Sequence, residues 1–166
     1  MDEMPKRMRA LLMLNGVGLL ALAVAIGWVW FFALLRHIVL WPLPINVPVL
    51  IPDDGRAWRM AHMEGITQGL VLIALGFAGG FMRLGRRQYQ WLFWSALVTG
   101  WLFTVPTIFN AAFGTRGLAF GGGPFKAGLA NDIIYLCGWP PVIGVHIMLG
   151  LSLWGLWRFV RTGMDG

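Results

Sequence analysis

The chain has few charged residues, few histidines and a single cysteine. Charged residues make up 12% of its 166 positions and hydrophobic residues 58%, whereas soluble domains carry about 25% charged residues. This composition excludes an intrinsically disordered chain, and one cysteine excludes an intramolecular disulfide framework. A net charge of +6 at a mean hydropathy of +0.70 indicates basic loops beside anionic lipid rather than a nucleic-acid partner. The sequence therefore predicts an integral membrane protein.

Several common catalytic motifs are also absent. The sequence contains no Gly-x-Ser-x-Gly, His-Glu-x-x-His or Cys-x-x-Cys pattern and no phosphate-binding glycine loop. These absences argue against serine hydrolases, zinc peptidases and nucleotide-binding proteins of the usual kinds. Candidate functional residues therefore have to be sought among the polar side chains of the apolar segments.

Four segments are nearly free of charges and long enough to cross a bilayer, which takes about 20 apolar residues. They cover residues 10–35, 61–82, 91–113 and 132–157. We expect one domain over residues 1–166, with an all-α fold: an integral membrane bundle of four transmembrane helices. Pro140 and Pro141 should kink the fourth span.

The distribution of lysine and arginine predicts the orientation of the bundle. Eight cationic residues lie at the termini or in the short turn between spans two and three, and five lie in the two longer loops. Cytoplasmic segments carry the excess of positive charge in membrane proteins. Both termini are therefore predicted to be cytoplasmic.

Six polar residues of the spans lie near the ends that face the two longer loops. A strongly polar side chain is costly in hydrocarbon, so it needs a partner or a function. The six residues are His62, Glu64, Gln68, Asn110, Asp132 and Tyr135. Because they lie at a similar depth, they are predicted to form one pocket.

His62 lies beside a strip of small residues, Ala61, Gly65 and Gly69, that repeats every four positions. Such a strip lets another backbone approach closely, or it leaves room for a flat cofactor. Axial ligation of haem iron needs a histidine with such space, so His62 is a candidate metal ligand and both glycines are candidate cofactor contacts. The alternative is a histidine that forms a hydrogen bond at a helix interface. His146, in the middle of span four, is expected to be structural.

Three short segments carry a family resemblance. Residues 57–65 contain the pattern Trp-x-x-Ala-His-x-x-Gly, residues 116–121 read Arg-Gly-Leu-Ala-Phe-Gly, and Asp132-Ile133 begins the last span. In this order and spacing they resemble the styrene oxide isomerase family of small bacterial membrane enzymes with four spans. The resemblance implies a homotrimer of the bacterial inner membrane that binds haem b through the histidine matching His62.

The resemblance also implies a redox-neutral reaction. In that family ferric iron acts as a Lewis acid on the oxygen of an aryl or otherwise hydrophobic epoxide, a hydride shifts, and an aldehyde leaves. The chain has Gln68 where the family carries an asparagine, and Thr107 where it carries a tyrosine on span three. Gln68 and Thr107 are therefore candidate substrate contacts, and Asn110 and Tyr135 are candidates to replace the tyrosine.

Two further expectations concern the cofactor. Arg116, in the second long loop, is a candidate partner for a haem propionate, and its alternative role is to cap span three. The alternative function is that of a haem-binding membrane protein without isomerase activity, which serves electron transfer or sensing. A second iron ligand would favour electron transfer, whereas Lewis-acid catalysis needs an open iron position.

Overall fold

Four helical segments form the structure, a computed structural model that describes residues 3–51 and 55–164. Helix α1 covers Lys6–Leu35, α2 covers Gly55–Ala78 and α3 covers Arg86–Phe113. The fourth segment consists of α4 (Leu129–Cys137) and α5 (Trp139–Met164), and a hairpin of β1 (His37–Val39) and β2 (Asn46–Pro48) joins α1 to α2. All four segments are long and apolar enough to span a membrane. The predicted fold class is confirmed, and the orientation of the termini stays a prediction.

The second span begins earlier than predicted. Helix α2 starts at Gly55 rather than at residue 61 and ends at Ala78 rather than at residue 82. The prediction placed Arg56 and Arg59 outside the span because charges are costly in lipid. A helix end near the interface nevertheless tolerates long cationic side chains, since these extend toward water.

Helices α1 and α2 approach each other so closely that only small residues fit between them. A Cβ atom added to Gly16 would lie 2.6 Å from the carbonyl oxygen of Gly69, and one added to Gly69 would lie 2.8 Å from that of Gly16. A Cβ atom added to Gly65 would lie 2.9 Å from Cβ of Ala23. Ala61 is fully buried on α2. The predicted strip of small residues is therefore a helix–helix contact, which brings the two backbones into van der Waals range.

Helix α3 contacts α1, α2 and α5 and so connects the other spans. Its contact with α5 also depends on a glycine, because a Cβ atom on Gly144 would lie 2.8 Å from Oγ1 of Thr99 and 3.1 Å from the carbonyl oxygen of Ser95. The start of α1 lies beside the turn before α3, where the Met4 amide donates to the Gly79 carbonyl at 3.1 Å. The opposite end of the bundle, the loop end, carries the hairpin and the loop 114–128.

The fourth span breaks at Gly138, between α4 and α5. Pro140 and Pro141 have no N–H group, so they cannot donate to the carbonyl groups of Leu136 and Cys137 as a continuous helix requires. The interruption is a single residue, because Gly138 keeps helical dihedral angles (φ −74°, ψ −23°) and the two helices form one continuous span. The kink itself stays a prediction.

The glycine contact between α1 and α2 generates a stability prediction. Gly16→Ala should lower the free energy of unfolding by about 1–3 kcal/mol, because its methyl group meets backbone atoms that cannot move aside. Gly150→Ala is the matched control, since nothing lies within 4 Å of a Cβ atom added there. Thermal unfolding in mild detergent measures both variants. Equal unfolding temperatures for the two variants would contradict the close contact.

Candidate functional site

A cavity of about 380 Å³ opens at the loop end, between α3 and the junction of α4 with α5. Four of the predicted site residues line it: Thr107, Asn110, Arg116 and Tyr135. The rest of the wall is almost entirely apolar and includes Leu102, Phe103, Pro106, Leu118, Ile134, Trp139 and Val142. A smaller adjoining cavity of about 60 Å³ shares Thr107, Asn110 and Arg116 and reaches Ala57 and Met60 of α2. The structure thus brings Tyr135 of α4 together with three residues from the end of α3 and the loop that follows it.

The loop wall of the cavity is held by Asn131, which is 1% exposed. Its Oδ1 accepts a hydrogen bond from the Gly117 amide at 3.0 Å, and its Nδ2 donates to the Ala119 carbonyl at 2.8 Å. Gly117 has φ of +58°, and a Cβ atom there would lie 2.5 Å from Ile134 Cγ2. Only glycine fits this position, so the loop passes close to α4 and carries Arg116 to the cavity.

Asp132 does not line this cavity, contrary to the prediction that it belongs to the pocket. Its Oδ1 accepts hydrogen bonds from the Gly121 amide at 2.7 Å and from Asn131 Nδ2 at 3.1 Å. A carboxylate in the first turn of α4 is also favoured by the helix dipole. Asp132 therefore helps to shape the loop.

The hydrogen bonds of the cavity residues determine what each residue offers to a ligand. The Thr115 hydroxyl donates to Asn110 Oδ1 at 3.0 Å, so the amide of Asn110 retains its Nδ2 donors. The Thr107 hydroxyl donates to the Thr104 carbonyl at 2.6 Å, which uses its proton. The hydroxyl group of Tyr135 makes no hydrogen bond to any residue in the described part of the chain. The Asn110 amide and the Tyr135 hydroxyl are thus neutral donors of the cavity, together with the indole of Trp139.

His62 lies away from this cavity, against α1. Its Nδ1 is 2.8 Å from the carbonyl oxygen of Ala23. Because a carbonyl oxygen only accepts, Nδ1 donates this hydrogen bond. In the neutral ring the lone pair then lies on Nε2, which is the arrangement that a metal-binding histidine requires. Gly27 makes room for the ring, since a Cβ atom there would lie 3.0 Å from Nδ1 and from Cε1 of His62.

The prediction that His62 shares one pocket with Asn110 and Tyr135 is wrong, because His62 lies on a different face of α2. At about 100° per residue, His62 lies about 160° from Met60 and about 140° from Ala57 around the helix. Met60 and Ala57 line the smaller adjoining cavity next to α3, whereas His62 contacts α1. Within one chain, the candidate iron ligand and the polar cavity therefore lie on opposite faces of α2.

Three other candidates have partners within the spans. Helix α1 occupies the space beside Gly65 and Gly69. These glycines therefore allow the two helices to pack closely, and they leave no space for a cofactor within the chain. Gln68 Nε2 donates to Glu64 Oε1 at 2.9 Å, one turn away on the same helix. Neither side chain lines the cavity of about 380 Å³.

The described residues contain no group of three or more histidine, cysteine or acidic side chains that would hold a metal ion. His146 is exposed on α5, and its Nδ1 lies 2.7 Å from the Val142 carbonyl oxygen of the preceding turn. It does not line the cavity that contains Tyr135.

Comparison with known proteins identifies the family. The sequence model of styrene oxide isomerase matches residues 8–157, which is most of the chain. The chain belongs to the styrene oxide isomerase family. No curated protein matches it significantly. Membership supports an isomerase acting on epoxides, and the four apolar helices indicate a multi-pass membrane protein.

Three residues that shape the cavity were not predicted from the sequence. Thr115 acts through a hydrogen bond to Asn110, five residues earlier, and Asn131 acts through hydrogen bonds to loop residues 12 and 14 positions away. Pro106 lines the cavity from inside α3, where it removes the N–H partner of the Leu102 carbonyl. Of these three residues, only Pro106 could have been noticed in the sequence, as a proline within an apolar run. The hydrogen bonds of Thr115 and Asn131 leave no recognisable local pattern.

The role of Asn131 generates a prediction about the loop. Asn131→Leu should lower the free energy of unfolding by about 2–4 kcal/mol, because it leaves the Gly117 amide and the Ala119 carbonyl without partners. Trypsin should also cleave the loop 114–128 faster, at Arg116 or Lys126. Asp132→Asn keeps the oxygen acceptor and is the matched control. Cleavage at the same rate in both variants would show that Asn131 does not hold the loop.

Proposed function

We propose that the chain is a haem-dependent isomerase that converts aryl and other hydrophobic epoxides to aldehydes without net oxidation or reduction. Family membership supports this reaction class. The observation that carries the proposal is the cavity, whose wall is apolar except for a few groups that include the donors of Asn110 and Tyr135. Such a wall suits a substrate with one oxygen atom on a hydrocarbon body.

The hydrogen bond of His62 supports its role as a haem ligand. The imidazole has the tautomer that leaves Nε2 available, and the Ala23 carbonyl fixes the orientation of its ring. Ferric haem b bound there would supply a Lewis acid for the epoxide oxygen.

The cavity residues would bind, orient and dehydrate the substrate. Leu102, Phe103 and Trp139 provide apolar contact for the aryl group. The Asn110 amide and the Tyr135 hydroxyl would donate hydrogen bonds to the oxygen atom, in place of the tyrosine that the family carries at the position of Thr107. An apolar wall also keeps out water, which would otherwise convert a ring-opened substrate to a diol.

We further propose that the complete site forms between copies of the chain, in a homotrimer. His62 and the cavity lie on opposite faces of α2. In a cyclic assembly, one face of each chain meets a different face of its neighbour. The His62 face of one copy would then lie against the cavity face of the next. In this arrangement the iron bound by one copy would lie beside the substrate cavity of the next copy. Within a single chain, His62 and the cavity lie apart.

The proposal includes a location in the bacterial inner membrane with both termini in the cytoplasm. The end of the bundle that carries the start of α1 and the end of α5 holds eight of the thirteen lysine and arginine residues. The positive-inside rule favours this end as cytoplasmic. A hydrophobic epoxide partitions into the bilayer, so the loop end would take its substrate from the outer half of the membrane.

The ligand assignment is tested by absorption spectroscopy of purified protein. The wild-type chain should show a Soret band that shifts when styrene oxide is added, and should release phenylacetaldehyde. His62→Ala should lose the haem, whereas His146→Ala should retain it, because His146 lies on a different helix and bonds to its own backbone. Equal loss in both variants would overturn the assignment of His62. A Soret band that does not shift when the epoxide is added would favour a haem protein with another function.

The shared site is tested by mixing two inactive chains. His62→Ala removes the ligand, and Thr107→Phe fills the cavity. Co-expressed, the two variants should recover a fraction of the wild-type isomerase activity, because mixed trimers contain interfaces with an intact His62 and an intact cavity. Each variant expressed alone should remain inactive. If the mixture is as inactive as its components, while mixed oligomers are isolated through two affinity tags, the site lies within one chain.

A further inference from the structure

A separate cavity of about 330 Å³ lies at the loop end between α1 and α2, on the same side of α2 as His62. Trp30, Leu34, Gly55, Arg56 and Arg59 line it. Trp30 connects it to His62, since the centres of their two rings are 6.1 Å apart. This cavity is distinct from the one that contains Asn110 and Tyr135.

The indole of Trp30 has a buried donor without an acceptor. Its Nε1 atom is inaccessible to solvent and has no hydrogen-bond partner among the described residues. A buried N–H group without a partner is costly and rare in folded proteins. A bound group would therefore supply the acceptor that the described residues do not offer to this indole.

Two cationic side chains lie beside this donor. Arg59 precedes His62 by three residues, so the two lie one turn apart on the same face of α2. Arg56 lies one turn further toward the loop end. None of the described residues that line this cavity is acidic. Two guanidinium groups and an indole N–H supply donors only, and at a membrane span they favour an anionic acceptor such as a carboxylate.

We propose that Arg56, Arg59 and Trp30 bind the propionate carboxylates of the haem held by His62, an inference that rests on the proposed function. Arg116, the residue predicted from the sequence for this role, lines the cavity on the other side of α2 instead. The site would therefore fix the rotation of the haem about its iron–histidine bond, and the carboxylates would face the loop end.

The test uses the full-length protein in detergent, expressed without haem and titrated with either haem b or haem dimethyl ester. The ester keeps the iron and the macrocycle but carries no carboxylates. Wild-type protein should bind haem b at least tenfold more tightly than the ester, as read from the Soret band. Arg59→Gln and Arg56→Gln should each weaken haem b binding about tenfold and leave ester binding unchanged.

Matched controls separate this site from its surroundings. Trp30→Phe should weaken haem b binding several-fold through loss of one donor. Trp28→Phe should have no effect, because Trp28 is 57% exposed and stacks on Phe32.

The outcomes distinguish this inference from the function on which it rests. If neither haem compound binds to wild-type protein, the proposed function fails. If both bind equally and His62→Ala abolishes both, the function stands and the carboxylate site is overturned. A preference for haem b that disappears in nanodiscs containing phosphatidylglycerol, but not in those of phosphatidylcholine alone, would assign the site to lipid phosphate and also overturn the inference.

Discussion

The close approach of α1 and α2 is the contact on which the rest of the structure depends. Gly16, Gly65 and Gly69 let the two backbones come within van der Waals range, so carbonyl groups of one helix lie beside the side chains of the other. The Ala23 carbonyl can reach His62 only because of this proximity. The helix contact therefore sets the orientation and the tautomer of the imidazole. The same contact places Trp30 beside it, at the mouth of the cavity that contains Arg56 and Arg59.

The second constraint acts at the other face of α2, where a loop rather than a helix completes the cavity. Asn131 is buried and satisfies two backbone groups of the loop, and Thr115 fixes the amide of Asn110. Buried polar contacts of this kind are effective in a membrane protein, because water does not compete for the partners in hydrocarbon. The polar groups of the cavity are thus held by side chains that do not themselves bind substrate.

The sequence was sufficient for the number of spans and for an irregularity near Pro140-Pro141, because each depends on local composition or spacing. The choice of His62 as an iron ligand stays a prediction. The sequence also predicted that Asn110 and Tyr135 belong together, from their similar depth. It did not predict that His62 faces away from them, because that depends on which neighbour each face of α2 contacts. The strip of Gly65 and Gly69 illustrates the ambiguity: small residues admit either a helix or a cofactor, and only the position of α1 decides between them. Asn131 had no recognisable pattern, since its partners are 12 and 14 residues away.

The partner of His62 has a consequence for the electronic character of the proposed iron site. A carboxylate partner would draw the Nδ1 proton and give the imidazole part of a negative charge, which pushes electron density onto a bound metal. A backbone carbonyl is a much weaker base, so in the proposed iron site His62 would act as a neutral ligand. Iron held by a neutral ligand retains more of its positive charge than iron held by a partly anionic one. It therefore attracts an oxygen lone pair more strongly and is less able to cleave an O–O bond. By supplying a carbonyl rather than an aspartate at this point, α1 would favour acid-type chemistry over oxidation.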